Sequence, residues 1–185
     1  MTSSIFLASK RLGEASLLKR FPGAKVLDVT SKGPEPWVRF SPFFPHGGIP
    51  VPFSEGFTGA SVEGIWQGLK VFEKFDVDVS KFAVTNMKGL KRTTRSLGRV
   101  LGHRKGVEGK ELLPYLEARK LIYLPCYKWV LGHKLSGELQ QMRELLETQS
   151  IVLLDYETNA DVSNLKSPLS HAALVKAYLE GAWPD

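Results

Sequence analysis

Residues 61–75 read SVEGIWQGLKVFEKF, and this stretch carries the clearest helical pattern in the chain. Ser61 is a preferred residue type at helix N-termini, and Glu63 stands in the first turn, where the helix dipole favours a carboxylate. Apolar residues then recur at the spacing of one helix face: Val62, Ile65, Trp66, Leu69 and Phe72. We therefore predict a helix over Ser61–Phe75, with the Glu63 side chain largely buried because it stands among Val62, Ile65 and Trp66.

Three polar residues share one side of this predicted helix. Glu63, Gln67 and Lys70 are spaced i, i+4 and i+7, so they form a single stripe. The stripe indicates either a ligand site or an exposed polar edge held by Glu–Lys pairing. Gly64 and Gly68, one turn apart, indicate either close helix packing or a ligand against the backbone.

The flanking sequence predicts short strands near both ends of the chain and helices between them. The predicted strands are Ile5–Ala8, Lys25–Thr30 and Ile151–Tyr156. Further helices are predicted at Arg11–Arg20, 84–100, Glu138–Thr148 and Leu169–Glu180. Leu112–Trp129 is also predicted to be helical, but in pieces, with an interruption near Pro125. This order and the length of 185 residues favour a single helix-rich α+β domain over residues 1–185.

Residues 31–59 are rich in proline, glycine and aromatic residues, including Phe44. Prolines and glycines at this density oppose long helices, whereas a disordered linker would not carry so many large apolar rings. We predict an ordered, irregular loop packed by aromatics, which serves a functional site or covers the core.

Positive charge is concentrated in one segment. Residues 86–105 hold seven basic residues and no acidic one, while the net charge of the whole chain is only +6. In the predicted helix over residues 84–100, five cations form one stripe: Lys88, Lys91, Arg92, Arg95 and Arg99. Such a stripe favours phosphate binding because the like charges repel one another; the alternative is a solvated cationic face.

Two carboxylates follow the apolar strand near the C-terminus. Asp155 and Asp161 lie at and beyond the end of residues 151–154, a place suited to site chemistry and equally common for turn-forming residues. The four histidines are scattered, and Cys126 is the only cysteine, so the sequence predicts neither a metal site nor a disulfide framework and favours the reducing cytoplasm. No apolar run approaches about 18 residues, which argues against a membrane-spanning helix.

Several of these segments resemble motifs of the YbiA-like, or NADAR, superfamily. Residues 40–45 (FSPFFP) and 60–72 (ASVEGIWQGLKVF) are similar to its "lSNFyP" and "tvEHyyQaqKf" elements, in the same order. Residues 96–99 (SLGR) and the segment from Leu145 to Asp155 are similar to two further elements. Pro42 and Gly64 stand where the family has Asn and His.

The resemblance implies a YbiA-like fold and an N-glycosidase that hydrolyses the N-linkage of a ribosyl or ADP-ribosyl nucleotide, without a cofactor. Glu63 would act on the sugar, with Asp161 or Asp155 at the leaving base or the ribose. The implied ligand-binding residues are Phe44, Trp66, Gln67, Lys70, Lys91, Arg95 and Arg99. Two alternatives remain: a sensor that binds nucleotide or ADP-ribose without cleaving it, which the changes at Pro42 and Gly64 favour, and a nucleic-acid-binding protein that uses the basic stripe.

Overall fold

The computed structural model describes residues 3–184, which form an α+β fold of short strands and helices, as predicted. The elements up to residue 72 are β1 (Ile5–Ser9), α1 (Glu14–Arg20), β2 (Lys25–Asp28), β3 (Ile49–Pro50), β4 (Thr58–Gly59), α2 (Val62–Leu69) and β5 (Lys70–Phe72). Those that follow are α3 (Thr94–Leu97), β6 (Val100–Arg104), β7 (Leu112–Leu113), α4 (Tyr115–Ala118), α5 (Leu124–Lys134), α6 (Ser136–Thr148), β8 (Ile151–Asp155) and α7 (His171–Leu179).

These residues group into two compact units. The first comprises the described residues up to Ser41 together with those from Leu131 onward, and the second is Pro42–Val130. The interpretation of residues 1–185 as one domain stays a prediction. None of the helices formed by residues 3–184 is long and apolar enough to cross a membrane.

The first unit is built on a parallel three-stranded sheet in the order β1-β8-β2. All five residues of the central strand β8 are buried, because α1, α6 and α7 belong to the same unit and cover the sheet. Leu17 of α1 packs with Ala8, Val152 and Leu154 in one core cluster. Since all three strands run in the same direction, their carboxyl ends, at Ser9, Asp28 and Asp155, meet at one edge of the sheet.

The second unit is organised around α2, in which every residue is buried. The hydroxyl of Ser61 accepts a hydrogen bond of 3.0 Å from the amide of Gly64, which confirms the predicted helix start. A β-carbon at Gly64 would lie 2.7 Å from the carbonyl oxygen of Lys81, and one at Gly68 would lie 2.3 Å from the Phe82 ring. The two glycines therefore allow the 3-10 helix Val79–Ala83 to pack against α2, which decides in favour of close helix packing.

Two predicted helices differ from the structure. The helix that begins at Ser61 ends at Leu69 rather than Phe75, because Lys70–Phe72 pairs with β6 as part of an antiparallel sheet β5-β6-β7. The helix predicted over residues 84–100 is wrong: only Thr94–Leu97 is helical, and a strand begins at Val100. Met87, Gly89 and Gly98 adopt positive φ angles, which an α-helix cannot contain.

The proline-rich segment is ordered, as predicted. It contains a 3-10 helix at Trp37–Phe40 and the two-stranded pair β3-β4, and Phe40 and Ile49 are fully buried. The region predicted as helix in pieces over Leu112–Trp129 contains β7, then α4, a π-helical turn at Arg119–Tyr123 and α5, which runs through Pro125. Pro125 lies within one uninterrupted helical run from Tyr115 to Lys134, directly after the π-helical turn, where the regular i→i−4 hydrogen-bond ladder that its missing amide would join is already interrupted.

Candidate functional site

Glu63 is the centre of the candidate site in the second unit. Its side chain lies in the first turn of α2 and is only 9% exposed, which confirms the predicted burial. Burial raises the pKa of this carboxyl, and the opposing effects of the Gln67 hydrogen bond and of the Lys70 and Lys91 charges do not cancel that increase. A buried carboxyl with a raised pKa is typical of a group that exchanges protons during catalysis.

Gln67 holds Glu63 in one orientation. Its side-chain amide donates a hydrogen bond of 2.8 Å to Oε1 of Glu63. Its own carbonyl oxygen accepts a hydrogen bond of 3.2 Å from the backbone amide of Arg92. Because donor and acceptor of the Gln67 amide are both engaged, its orientation and that of the Glu63 carboxylate are coupled to the loop before α3.

Lys70 and Lys91 supply the positive charge next to Glu63. Lys70 follows the last residue of α2, and burial lowers the pKa of its ammonium group against the opposing charge of Glu63. Its Nζ lies 5.9 Å from the centre of the Trp66 ring. Lys91 is exposed, and its Nζ lies 5.8 Å from the centre of the Phe43 ring. Burial thus favours the neutral forms of both Glu63 and Lys70.

An aromatic cluster borders Lys70, and it includes a histidine that the sequence did not single out. The rings of Trp66 and His103 lie 3.8 Å apart, and Tyr115 and Tyr123 each lie 5.7 Å from Trp66. His103 is fully buried, and neither ring nitrogen has a hydrogen-bond partner among the described residues. Burial and the Lys70 charge lower its pKa to about 3, so the imidazole is neutral.

No local signal distinguishes His103 from the other histidines. Its position follows from the pairing of β5 with β6, which sets His103 opposite Lys70. Cross-strand neighbours in an antiparallel pair project their side chains from the same face. The proximity of His103 to Lys70 is therefore a consequence of a sheet that the sequence pattern did not reveal.

Arg92 connects the end of α2 with the loop before α3. Its guanidinium donates to the carbonyl oxygens of Gln67 at 3.1 Å, Lys70 at 2.6 Å and Asp76 at 2.8 Å. It also lies 4.9 Å from the centre of the Phe72 ring. Helix C-termini leave carbonyl groups without intrahelical partners, and Arg92 supplies a donor to one of them, the carbonyl of Gln67.

The other cations of the predicted basic stripe do not form a continuous surface, because their segment is not one helix. Arg99 is 84% exposed in its side chain and pairs with Glu73 at 2.7 Å. Arg104 and Lys105 pair with Asp76 and Glu111 at 2.7 Å and 2.8 Å. Carboxylates of the same unit therefore compensate Arg99 and two cations beyond the stripe, Arg104 and Lys105, while phosphate binding by the remaining cations stays a prediction. Arg95 is exposed.

The remaining predicted site residues differ in their surroundings. Phe44 is half-buried in the second unit, with its ring 4.8 Å from that of His46. Asp155 and Asp161 belong to the first unit. Asp161 is exposed and its Oδ1 accepts from the Ser163 amide, as in a turn. No group of three or more His, Cys, Asp or Glu side chains within residues 3–184 could hold a metal ion.

Asp155 joins β8 to α7. Its Oδ2 accepts from the Ser170 hydroxyl at 2.8 Å and lies 2.9 Å from Nδ1 of His171. Burial by itself raises the pKa of Asp155, but the His171 charge and three hydrogen bonds outweigh it and lower that pKa. The carboxylate thus anchors the start of α7, and its suggested role at a leaving base stays a prediction.

Comparison with known proteins identifies a family but no activity. The profile of a family of unknown function (DUF6939) matches residues 9–175, nearly the whole chain, and so includes both units. No curated protein matches the sequence.

Proposed function

Because the chain belongs to the DUF6939 family, whose function is unknown, we propose an activity from its chemistry: hydrolysis of an N-glycosidic bond in a ribosyl or ADP-ribosyl nucleotide-like substrate at the Glu63 site. One observation carries the proposal. Glu63 is a buried carboxyl with a raised pKa, oriented by Gln67 and adjacent to the cation Lys70. The resemblance to the YbiA-like superfamily supplies the substrate class, and a YbiA-like fold is part of the same proposal.

The reaction breaks the bond between the anomeric carbon of ribose and a nitrogen of the base. The electron pair leaves with the nitrogen, and positive charge develops on the sugar ring as in other glycosyl transfers. Ionised Glu63 stabilises that charge and accepts a proton from the attacking water. A raised pKa makes this carboxylate a stronger base than an ordinary glutamate, while Gln67 fixes the lone pairs that face the water.

Cationic and aromatic groups of the same unit supply binding. Lys70 and Lys91 provide positive charge next to Glu63 for an anionic substrate. Trp66 is only 7% exposed and already packs against the His103 ring, so we assign base stacking to the half-buried Phe44. No metal or redox cofactor has a role in this proposal. We place the protein in the cytoplasm, which agrees with Cys126, a buried thiol whose pKa is raised by burial to about 12.

A sensor that binds the same ligand without cleaving it is the second candidate, and one observation favours it. The superfamily's His falls at Gly64, where a β-carbon would lie 2.7 Å from the carbonyl oxygen of Lys81. A histidine therefore cannot occupy this position without movement of the 3-10 helix Val79–Ala83. The third candidate, a nucleic-acid-binding protein, required a continuous basic helix over residues 84–100, and these residues do not form one.

A substrate screen separates these candidates. Purified protein is incubated with ribosylated bases, ADP-ribosylated guanine nucleotides and NAD, and release of free base is followed by chromatography. Binding is measured in parallel by calorimetry. We expect release of base from at least one compound. Binding without release would replace the enzyme by the sensor, whereas tighter binding of RNA with a steep salt dependence would favour the third candidate.

The pH dependence gives an independent test of Glu63. If its ionised form is the base, kcat/KM rises with pH through the pKa of Glu63 in the free enzyme. Because burial raises that pKa, the midpoint of the rise lies above the ordinary value of about 4.3 for glutamate. A rate that falls with rising pH over the same range would instead assign Glu63 as a general acid.

A further inference from the structure

A cleft of the Pro42–Val130 unit lies beside the Glu63 site, and the proposal above uses only one of its residues, Lys91. It encloses about 260 Å³, and its polar lining consists of Asp78, Lys81, Lys91, Arg92, Thr93 and Ser96. Ligand pockets for drug-sized molecules usually enclose about 300–1,000 Å³. This cleft therefore suits one end of a nucleotide-sized ligand rather than a whole dinucleotide.

The charges of the cleft are unbalanced. Lys81, Lys91 and Arg92 contribute three positive charges against one carboxylate, that of Asp78. None of these three cations forms an ion pair with a carboxylate of residues 3–184. Oδ1 of Asp78 already accepts from the amide and the hydroxyl of Ser80. The cleft thus carries excess positive charge that its own side chains do not neutralise, which favours an anion.

Hydroxyl groups complete the lining. The side-chain oxygens of Thr93 and Ser96 lie 3.2 Å apart, and both residues are exposed. Cations together with hydroxyl donors are the groups that usually surround phosphate oxygens. Lys81 donates one hydrogen bond, to the carbonyl of Gly89, and an ammonium group has two further donors.

The cleft is connected to the Glu63 site through two neighbouring residues. Lys91 lines the cleft, and its charge also acts on the Glu63 carboxyl. Arg92 lines the cleft as well, and its amide donates to the Gln67 side chain that orients Glu63. The cleft and the Glu63 site therefore share Lys91 and are linked through Arg92 and Gln67.

We propose that this cleft binds the phosphate of the phosphorylated ribosyl substrate, so that Lys81, Lys91, Thr93 and Ser96 determine the preference for a phosphorylated over an unphosphorylated ribosyl compound. The assignment rests on the proposed function for the identity of the sugar. The binding of phosphate itself rests only on the cleft and its charge.

The test uses ribose 5-phosphate as the probe and compares two substitutions of equal charge on the same short helix. Ser96→Asp places a carboxylate in the cleft, whereas Thr94→Asp places one on an exposed residue that does not line it. We expect calorimetry to show affinity at least about tenfold weaker for Ser96→Asp and within about threefold of wild type for Thr94→Asp, given charge repulsion at close range. Circular dichroism verifies that both variants fold.

A second pair tests the cations. Lys91→Met should weaken binding of ribose 5-phosphate about tenfold, a typical loss for one charge-assisted phosphate contact, whereas Lys88→Met, which removes an equal charge outside the cleft, should leave it unchanged. Equal affinities for Ser96→Asp and wild type, or no binding by wild type, would overturn the proposal. So would RNA that displaces ribose 5-phosphate with a steep salt dependence.

Glu63→Gln distinguishes a failure of this inference from a failure of the proposed function. The variant should bind ribose 5-phosphate within about threefold of wild type, because the amide is nearly isosteric and Glu63 does not line the cleft. If the cleft binds phosphate but wild type releases no base from any substrate, the assignment of the cleft as a phosphate site is retained and the hydrolase is excluded. If base is released while cleft variants match wild type in affinity, the hydrolase stands and the cleft assignment is wrong.

Discussion

At the scale of single residues, burial shifts the pKa values of Glu63 and Lys70 in opposite directions. It raises the pKa of the carboxyl and lowers that of the ammonium, since both charged forms lose water. Gln67 donates one hydrogen bond to the buried Glu63 carboxyl. Lys70 directly follows the last residue of α2, so its charge acts on the same carboxyl. The polar stripe read from the sequence is therefore a coupled group of side chains rather than an exposed edge.

Glu63→Gln and Lys70→Ala should give different kinetic signatures. The first should keep the fold and most affinity but lower kcat by about 10²–10³, the effect of removing one electrostatic stabiliser of a transition state. Lys70→Ala should mainly raise KM, because an anion contact acts in the ground and transition states alike. Steady-state measurement of base release gives both constants. If Glu63→Gln were as fast as wild type, Asp155 and Asp161 would be the next carboxylates to replace.

His103→Phe should raise the free energy of unfolding by about 1 kcal/mol. The substitution removes two buried ring nitrogens that have no described partner, and a buried polar group without a hydrogen bond costs about 1–3 kcal/mol. Tyr115→Phe, in the same aromatic cluster but 40% exposed, is the matched control and should change stability little. Urea denaturation measures both variants. A clear loss of stability in His103→Phe would show that the imidazole makes a stabilising hydrogen bond.

At the scale of elements, the contact between α2 and the 3-10 helix Val79–Ala83 depends on two glycines of α2, because a side chain at either position would collide with the 3-10 helix. Gly64→Ala would place a methyl group 2.7 Å from a backbone carbonyl that cannot rotate away. Overpacking costs about 1–3 kcal/mol, whereas the gain in helix propensity is at most about 1 kcal/mol, so the variant should be destabilised by about 1–2 kcal/mol.

Gly137→Ala is the matched control for this prediction. Gly137 also lies in a helix, α6, but no atom lies within 4 Å of its added β-carbon. The substitution should therefore stabilise the protein by up to about 1 kcal/mol through propensity alone. Thermal denaturation of the two variants measures the difference. Equal stabilisation of both would mean that the 3-10 helix does not pack against α2 as described.

At the scale of the whole molecule, two buried histidines make stability depend on pH in opposite directions. Burial by itself lowers the pKa of His171, but the charge and hydrogen bond of Asp155 and the hydrogen bond to the Val29 carbonyl outweigh it and raise that pKa. The stability that His171 contributes is complete below its unfolded pKa of about 6.5 and is lost as the pH rises through the raised folded value.

His103 has the reverse effect. Its folded pKa of about 3 lies below the unfolded value, so the folded state binds fewer protons and stability is lost as the pH falls below about 6.5. We expect a maximum of stability near neutral pH, measured by urea denaturation between about pH 5 and 9. His171→Gln should remove the decline above neutral pH, and His103→Phe the decline below it. Unchanged slopes in either variant would contradict the assignment of that histidine.

The local signals of the sequence predicted much of this fold. Ser61 begins α2, and the apolar run at Ile151 forms a buried strand. The predicted helices over Glu138–Thr148 and Leu169–Glu180 are confirmed as Ser136–Thr148 and His171–Leu179. Burial of Glu63 was also predicted, because apolar residues surround it in the helical pattern. Each of these features depends on residues within one or two turns of one another, so the pattern of neighbours determines them.

Only the tertiary structure decided the rest, because it depends on contacts between segments distant along the chain. The end of α2 at Leu69 and the strand that follows exist because Lys70–Phe72 pairs with β6, about 30 residues later. The same pairing sets His103 opposite Lys70, and the irregular backbone around Gly89 disperses the cations that helical spacing had aligned. Periodicity reports which face of a segment is apolar; it does not report which distant strand completes a sheet, and that choice determined the surroundings of the site.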